Sequence, residues 1–207
     1  SSAASDVYKR QEQVSNVDTC ILMEADENMI NTYSLLAVNP NAPFTDADGN
    51  AVSDVKINAD GAETFIDWML SEASKLIKEY GVEEYGDNLF YLKDDAPKYD
   101  DKIANASDEN RVIRLSTTTS VKDSGLLDYI LPVFEQEYGY KVEVQSAGTG
   151  KAIAAAKYGN ADVILVHSKA QEEAFVDEGF SYVLSGFDSE RLRFMYNYFC
   201  LLYTSDA

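Results

Sequence analysis

The pattern of hydrophobic and polar positions is irregular in the first half of the chain. Apolar segments at residues 17–23 and 32–40 predict two strands, and the short piece NLFYLK predicts a further extended segment. From Ala59 to Tyr80 apolar residues recur at helical spacing, which predicts one amphipathic helix with Asp60 as its N-cap and Gly81 as its stop. Its aromatic residues, Trp68 included, are expected to form core rather than a cofactor site.

After residue 110 the pattern alternates regularly between strand-like and helix-like segments. The predicted strands are RVIRLS, YKVEVQSAG, ADVILVH and RFMYNYF, and the predicted helices are SGLLDYILPVFEQEYG, GKAIAAAKYG and KAQEEAFVDEG. Such alternation implies right-handed crossovers, so the sequence predicts an α/β fold with a mostly parallel sheet flanked by helices. Residues 94–110 mix six acids with two lysines and show no period, which predicts a linker.

Composition and charge narrow the classes of function. The chain has 207 residues, of which 45% are hydrophobic, and this is enough for a packed core. A net charge of −19 argues against nucleic-acid binding and against attraction to anionic lipid, because both require a basic surface. One histidine and two cysteines, Cys20 and Cys200, form no metal-ligand spacing and no disulfide framework, so no cofactor or structural metal is expected.

The two ends of the chain do not look like protein sequence. SSAASDVYKRQ at residues 1–11 and CLLYTSDA at residues 200–207 resemble translated sequencing-adapter DNA, one end from each strand. Both are therefore interpreted as adapter-like scars and excluded from the fold. We expect that the natural protein was cut at both ends, so that the lack of a signal peptide says nothing about its location.

Three loops follow predicted parallel strands, and ligands of open α/β sheets bind beyond the carboxyl ends of such strands. The loops are STTTSVKDSG, SAGTGK and HSKAQ. The first two lead into helix N-termini, where free backbone N–H groups and the helix dipole favour an anion. The hydroxyls of residues 117–120 and Thr149 add donors, and Gly148 and Gly150 allow the backbone close to a ligand. The pattern predicts a site for a small oxyanion held by neutral donors.

Two other interpretations of these loops stay open. A single Ser or Thr before a helix is an ordinary N-cap that needs no ligand. A serine of the first loop could also be a hydrolase nucleophile, for which only His167 could act as base. The chain has no G-x-S-x-G turn, which disfavours the hydrolase.

Residues 114–179 closely resemble the N-terminal part of the TupA-type tungstate-binding proteins of ABC importers, in the type II periplasmic binding protein class. The matching blocks are TTTS, DSGLL, GTG and ADV-LVH, in the same order and spacing, and RFMYNYF is similar to the family's strand that crosses into its second lobe. The resemblance implies a tungstate site with two walls and a nearby histidine, and a lone histidine at such a place is more often structural than a ligand. The implied ligand-binding residues are Thr117, Thr118, Thr119, Ser120, Gly148, Thr149, Gly150 and His167.

The first half resembles the C-terminal part of the same family, so the order of the two parts is reversed. A window cut from two tandem copies would show this order, and so would a natural circular permutant; we favour the first, because the cuts coincide with the scars. The family's second lobe, with its SRGD-SGTH type motif, is absent from the sequence. The predicted units are 1–11 scar, 12–93 C-terminal part of a lobe, 94–110 acidic linker, 111–199 N-terminal part of the lobe, and 200–207 scar.

The resemblance thus implies a single lobe of a solute-binding component rather than an enzyme. It is expected to fold as one α/β unit with half a site that binds tungstate weakly or not at all. Molybdate, sulfate and phosphate are the alternative ligands. The implied partners are the oxyanion and an ABC permease subunit, with no nucleic acid and with membrane association only through a lipid anchor on the parent's N-terminus. The implied location is extracytoplasmic, in the periplasm or at the cell surface.

Overall fold

The structure, a computed structural model, describes residues 30–198. The six strands are β1 (Ile30–Ala37), β2 (Tyr91–Leu92), β3 (Val112–Thr118), β4 (Lys141–Ala147), β5 (Val163–Val166) and β6 (Leu192–Tyr198). The seven helices are α1 (Ala59–Met69), α2 (Ala73–Glu79), α3 (Val82–Tyr85), α4 (Thr119–Asp123), α5 (Leu126–Tyr138), α6 (Thr149–Lys157) and α7 (Lys169–Asp177). The strand predicted at 17–23, both cysteines and both adapter-like ends lie outside the described residues.

All six strands form one mixed sheet in the order β2-β6-β1-β5-β3-β4. Strand β3 pairs in parallel with β4 and β5, whereas β1 is antiparallel to both β5 and β6, and β2 is antiparallel to β6. Strands β3 to β6 therefore run in one direction, and β1 and β2 run in the other. The predicted α/β lobe is confirmed, with antiparallel pairings wherever the first half of the chain contributes a strand.

Helices cover both faces of the sheet, and each face has its own core. Helices α1, α2 and α5 pack on one face around a cluster that includes Phe65, Trp68 and Phe134. Helices α6 and α7 cover the other face around a smaller cluster that includes Ile153 and Phe175. Side chains alternate between the two faces along β1 and β5, which explains why β5 is apolar at every position.

The helix predicted from Ala59 to Tyr80 is in fact two helices, α1 and α2. The Ser71 hydroxyl donates to the Asp67 carbonyl at 2.7 Å and its backbone N–H donates to the Trp68 carbonyl, so the helical hydrogen-bond ladder is interrupted there. The N-cap is Asn58 rather than Asp60, because the Asn58 side chain accepts from Gly61 N. The predicted stop at Gly81 is confirmed, with a left-handed φ of 90°.

Polar contacts join the two halves of the chain at the edge where β3 begins. The buried Asp162 carboxylate accepts from the backbone N–H of Asn58 at 2.8 Å and of Arg114 at 2.7 Å, and it also accepts from the Arg114 guanidinium. The predicted linker at residues 94–110 forms no helix or strand, but Tyr99 and Ile103 pack against the larger core. Within the described part of the chain, no helix is long and apolar enough to cross a membrane.

Candidate functional site

The three candidate loops lie at the same edge of the sheet. In the parallel register Thr118 is opposite Ala147 of β4, and Thr117 is opposite Leu165 of β5, so all three strands end at about the same level. The chain leaves β3 towards β4 and leaves β5 towards β6, which are opposite directions in the sheet order. The gap between β3 and β5 is therefore a topological switch point, where α/β sheets commonly bind ligands.

The first loop divides its hydroxyl groups between two roles. Strand β3 continues through Thr118, which is the N-cap of α4, and its Oγ1 accepts from Val121 N at 3.3 Å. Thr118 Oγ1 also lies 2.9 Å from Ser120 Oγ, and both side chains are buried. The Thr119 side chain is exposed at the start of α4, where backbone N–H groups have no intrahelical acceptor. Among the four hydroxyl residues at positions 117–120, Thr119 is thus the accessible one.

Thr117 links the strand that precedes the first loop to the neighbouring strand. Its side chain is fully buried, and its hydroxyl donates to the Leu165 carbonyl of β5 at 2.7 Å. The preceding Ser116 hydroxyl donates in the same way to the Ala152 carbonyl of α6 at 2.8 Å. Since each hydroxyl has a single proton, Thr117 can donate to an anion only if it gives up the bond that ties β3 to β5.

The second loop has glycines that neither the backbone conformation nor packing requires. Gly148 has φ −58° and ψ 154°, which any residue can adopt, and a Cβ there would meet nothing within 4 Å. Gly150 lies in the first turn of α6, and a Cβ there would meet only Gln171 Oε1, at an ordinary 3.5 Å. Between them, the half-buried Thr149 begins the helix. The missing Cβ atoms leave open space beside the first N–H groups of α6.

The third loop places His167 at the same edge of the sheet as the first loop. The half-buried imidazole contacts the ring of Tyr33 edge to face at 4.9 Å. Burial lowers the pKa of His167, and the nearby Glu172 carboxylate opposes this only in part, so the ring is neutral at neutral pH. Glu172 itself is buried, accepts from Ser168 N at 2.6 Å and pairs with Arg191 at 3.1 Å. The predicted set of site residues is thus gathered at one edge, and none of these predicted side chains is charged at neutral pH.

Two polar residues at this edge were not predicted from the sequence. Tyr33 of β1 and Asn197 of β6 are buried, and the Tyr33 hydroxyl lies beside the side chains of Asn197 and Ser120 without a hydrogen bond of good geometry among residues 30–198. The signal that could have found them is a polar side chain inside an apolar strand, as in NTYSLLAV and FMYNYF.

The mixed sheet covered on both faces, with its loops gathered at a switch point, is an α/β binding-protein lobe. The family model described as PBP superfamily domain matches residues 104–207. This is half of the chain, which therefore belongs to the PBP superfamily. The resemblance to TupA-type proteins inferred from the TTTS, GTG and ADV-LVH blocks is also confirmed by curated relatives that match part of the chain.

Three of these relatives are informative. The tungstate-binding protein TupA of Peptoclostridium acidaminophilum is 50% identical over 90 residues, which are 44% of this chain and 29% of that protein. A putative ABC transporter anion-binding protein of Haloferax volcanii is 48% identical over 68 residues, or 33% of this chain and 20% of that protein. The solved tungstate-binding protein TupA of Desulfovibrio alaskensis is 41% identical, with a TM-score of 0.32, over 33% of this chain and 27% of that one. The chain thus spans less than a third of the length of the curated relatives it matches.

Proposed function

We propose that this chain is the ligand-binding lobe of an ABC importer's solute-binding component, and that it holds a tetrahedral oxyanion, tungstate first. One observation supports this above all: β3 and β4 end in register at Thr118 and Ala147, so the starts of α4 and α6 are neighbours at the switch point. The names of the relatives, tungstate-binding and anion-binding proteins, agree with it.

The donors proposed for the anion are neutral. The accessible hydroxyls of Thr119 and Thr149 and the N–H groups at the starts of α4 and α6 surround the space beside Gly148 and Gly150. Hydrogen bonds to a charged acceptor contribute about 1.5–3 kcal/mol each, enough to offset dehydration of the anion. The net charge of −19 does not forbid binding, because fields beyond about 8 Å are largely screened at physiological salt.

The remaining predicted residues are assigned supporting positions. Thr118 and Ser120 fix the first turn of α4 through their mutual hydrogen bond, and Thr117 holds β3 to β5. His167 forms a neutral wall of the site. Because this chain would supply only one side of a cleft, we expect weak binding. In the parent protein the lobe would act outside the cytoplasm and deliver the anion to a permease.

The test is a titration of this chain with tungstate, molybdate, sulfate and phosphate, followed by amide NMR shifts. We expect tungstate to bind with a Kd of about a millimolar, or roughly −4 kcal/mol, and to move the amides of Ser120, Thr149 and Gly150 most. Thr149→Val should weaken binding about fivefold, because it removes one donor and keeps the shape. Thr64→Val on α1, whose hydroxyl donates to Asp60 O, is the matched control and should have no effect.

Two results would contradict the proposal in different ways. No shift at these amides with any of the four anions would exclude an anion site in this lobe. Sub-micromolar affinity for tungstate would instead show that one lobe forms a complete site, contrary to the half-site expected here.

A further inference from the structure

Two neighbouring strands present buried polar groups at the switch-point edge. Tyr33 pairs with Met195 in the antiparallel register of β1 and β6, and Asn197 lies two residues beyond Met195, so Tyr33 and Asn197 share a face of the sheet. Tyr33 has no exposed surface, and Asn197 is 2% exposed. Neither the Tyr33 hydroxyl nor either polar atom of the Asn197 amide has a hydrogen-bond partner within the described residues.

The Tyr33 ring is held in place by aromatic contacts. Its edge-to-face contacts are with Phe90, at 5.7 Å between ring centroids, and with His167, at 4.9 Å. Its hydroxyl lies beside the side chains of Ser120 and Asn197: burial raises the pKa of Tyr33, and these two neighbours partly counteract the rise. The unpartnered hydroxyl is therefore aimed at the first turn of α4, where Ser120 is already bonded to Thr118.

Leaving these groups without partners is costly. A buried polar group that lacks a hydrogen bond destabilises a protein by about 1–3 kcal/mol, and such groups in native proteins usually have a functional reason. Both groups can donate, through one O–H and an NH2 group, and neither carries charge. A deprotonated oxyanion has only acceptors, so it could satisfy these O–H and N–H donors but not the acceptor Asn197 Oδ1.

We propose that the Tyr33 hydroxyl and the Asn197 amide bind the oxyanion directly, so that strands β1 and β6 supply ligand donors alongside the helix starts of α4 and α6. This rests on the proposed function. It also gives the first half of the chain a direct part in the site, since β1 comes from that half and β6 from the other. The site would then extend across the gap between β3 and β5 towards β1 and β6.

The decisive variant is Tyr33→Phe, which removes only the hydroxyl. We expect it to weaken tungstate binding about five- to tenfold while the thermal midpoint of the anion-free protein stays the same or rises, because an unpartnered hydroxyl has been removed. Asn197→Leu should weaken binding by a similar factor. Tyr196→Phe is the matched control: Tyr196 is the neighbouring tyrosine of β6, stacked on Tyr91, and its loss of a hydroxyl should leave affinity unchanged.

The outcomes separate this inference from the proposed function. If the unaltered chain shows no tungstate response at millimolar concentration, the proposed function fails and this inference with it. If the unaltered chain binds and both Tyr33→Phe and Asn197→Leu bind equally well, the inference alone is overturned. A lower thermal midpoint for Tyr33→Phe with unchanged affinity would likewise overturn it, since the hydroxyl would then have a structural partner such as water.

Discussion

Asp67 is a buried acid on α1, on the face of the sheet that carries the larger core. One of its carboxylate oxygens has no hydrogen-bond partner within the described part of the chain. Burial, with a smaller contribution from the Glu63 carboxylate, raises the pKa of Asp67 to about 7. Burial, and to a lesser extent the nearby Asp67 charge, raises the pKa of Tyr99 in the linker. The negative charge of Asp67 is therefore unfavourable in the folded protein.

Replacing Asp67 by Asn should stabilise the protein increasingly as the pH rises. The folded-state pKa is above the ordinary value of 3.8, so the folded protein retains a proton that the unfolded chain has lost, and stability falls between about pH 4 and pH 7. We expect the stability advantage of Asp67→Asn to grow by about 2–3 kcal/mol between pH 5 and pH 8. Urea unfolding at both pH values measures it. Asp128→Asn, at an exposed position of α5, is the control, and parallel pH profiles for Asp67→Asn and the original chain would contradict the prediction.

For single residues, the sequence predicts which loops carry candidate ligand-binding side chains. It does not predict which hydrogen bonds each side chain makes. The hydroxyl run at residues 116–120 stands out locally because five such residues are consecutive at the end of a strand pattern. That Thr117 bonds to Leu165 while Thr119 stays exposed depends on a strand 48 positions away, which no local pattern contains. Tyr33 and Asn197 were missed for the same reason, because only the assembled sheet brings them to the loops.

Single elements were predicted best where neighbouring residues determine them. Strands β3 to β6 and helices α5 to α7 follow the local alternation of the second half, and all are confirmed. The predicted helix at residues 59–80 failed at its middle, because the Ser71 hydroxyl competes for backbone carbonyls without changing the apolar spacing. The predicted N-cap of this helix, Asp60, was also wrong. Asn58 is the N-cap, and its side chain is held there because its amide group donates to the carbonyls of Asn110 and Val112.

The start of α6 offers a test of glycine function at the scale of one helix. Gly148→Ala and Gly150→Ala should leave stability within about 1 kcal/mol, because neither position needs glycine for conformation or space. Gly150→Ala should also add helix propensity. Both changes should weaken tungstate binding several-fold, since each methyl would occupy the space next to the N–H donors. Thermal unfolding and the anion titration measure the two effects.

Gly159, unlike Gly148 and Gly150, is a glycine that the structure requires, so it serves as a comparison for that test. It has a φ of 79°, and a Cβ there would clash with Val55 Cγ1, so Gly159→Ala should destabilise the fold clearly. Unchanged anion affinity in Gly148→Ala and Gly150→Ala would mean that the open space beside α6 is not the ligand site.

Over the whole molecule, the two halves of the chain complete one sheet. Strand β1 of the first half lies between β5 and β6 of the second, and its first residue, Ile30, pairs with Tyr198 at the end of β6. Neither half alone contains the full order, so the assembled sheet could be expected only from the resemblance to a lobe built of two chain segments. The strand directions agree with a chain in which β6 leads to β1 by another route, and we propose that the two halves are the two segments of one lobe of the family.

A circular permutant tests this. The new chain would begin at Arg111, run to Tyr198, continue through a short Asn-Gly turn to Ile30 and end at Asn110. Since Tyr198 and Ile30 are cross-strand partners in an antiparallel pair, a hairpin turn can join them without moving either strand. We expect the permutant to keep the amide NMR pattern of β3 to β5, to unfold in a single transition, and to respond to tungstate as the original chain does.

A permutant opened inside β5, between Ile164 and Leu165, should not fold, because it cuts a fully buried strand. If the first permutant aggregates or unfolds where the original chain is folded, the covalent order of the two halves is essential to the lobe and this proposal is refuted.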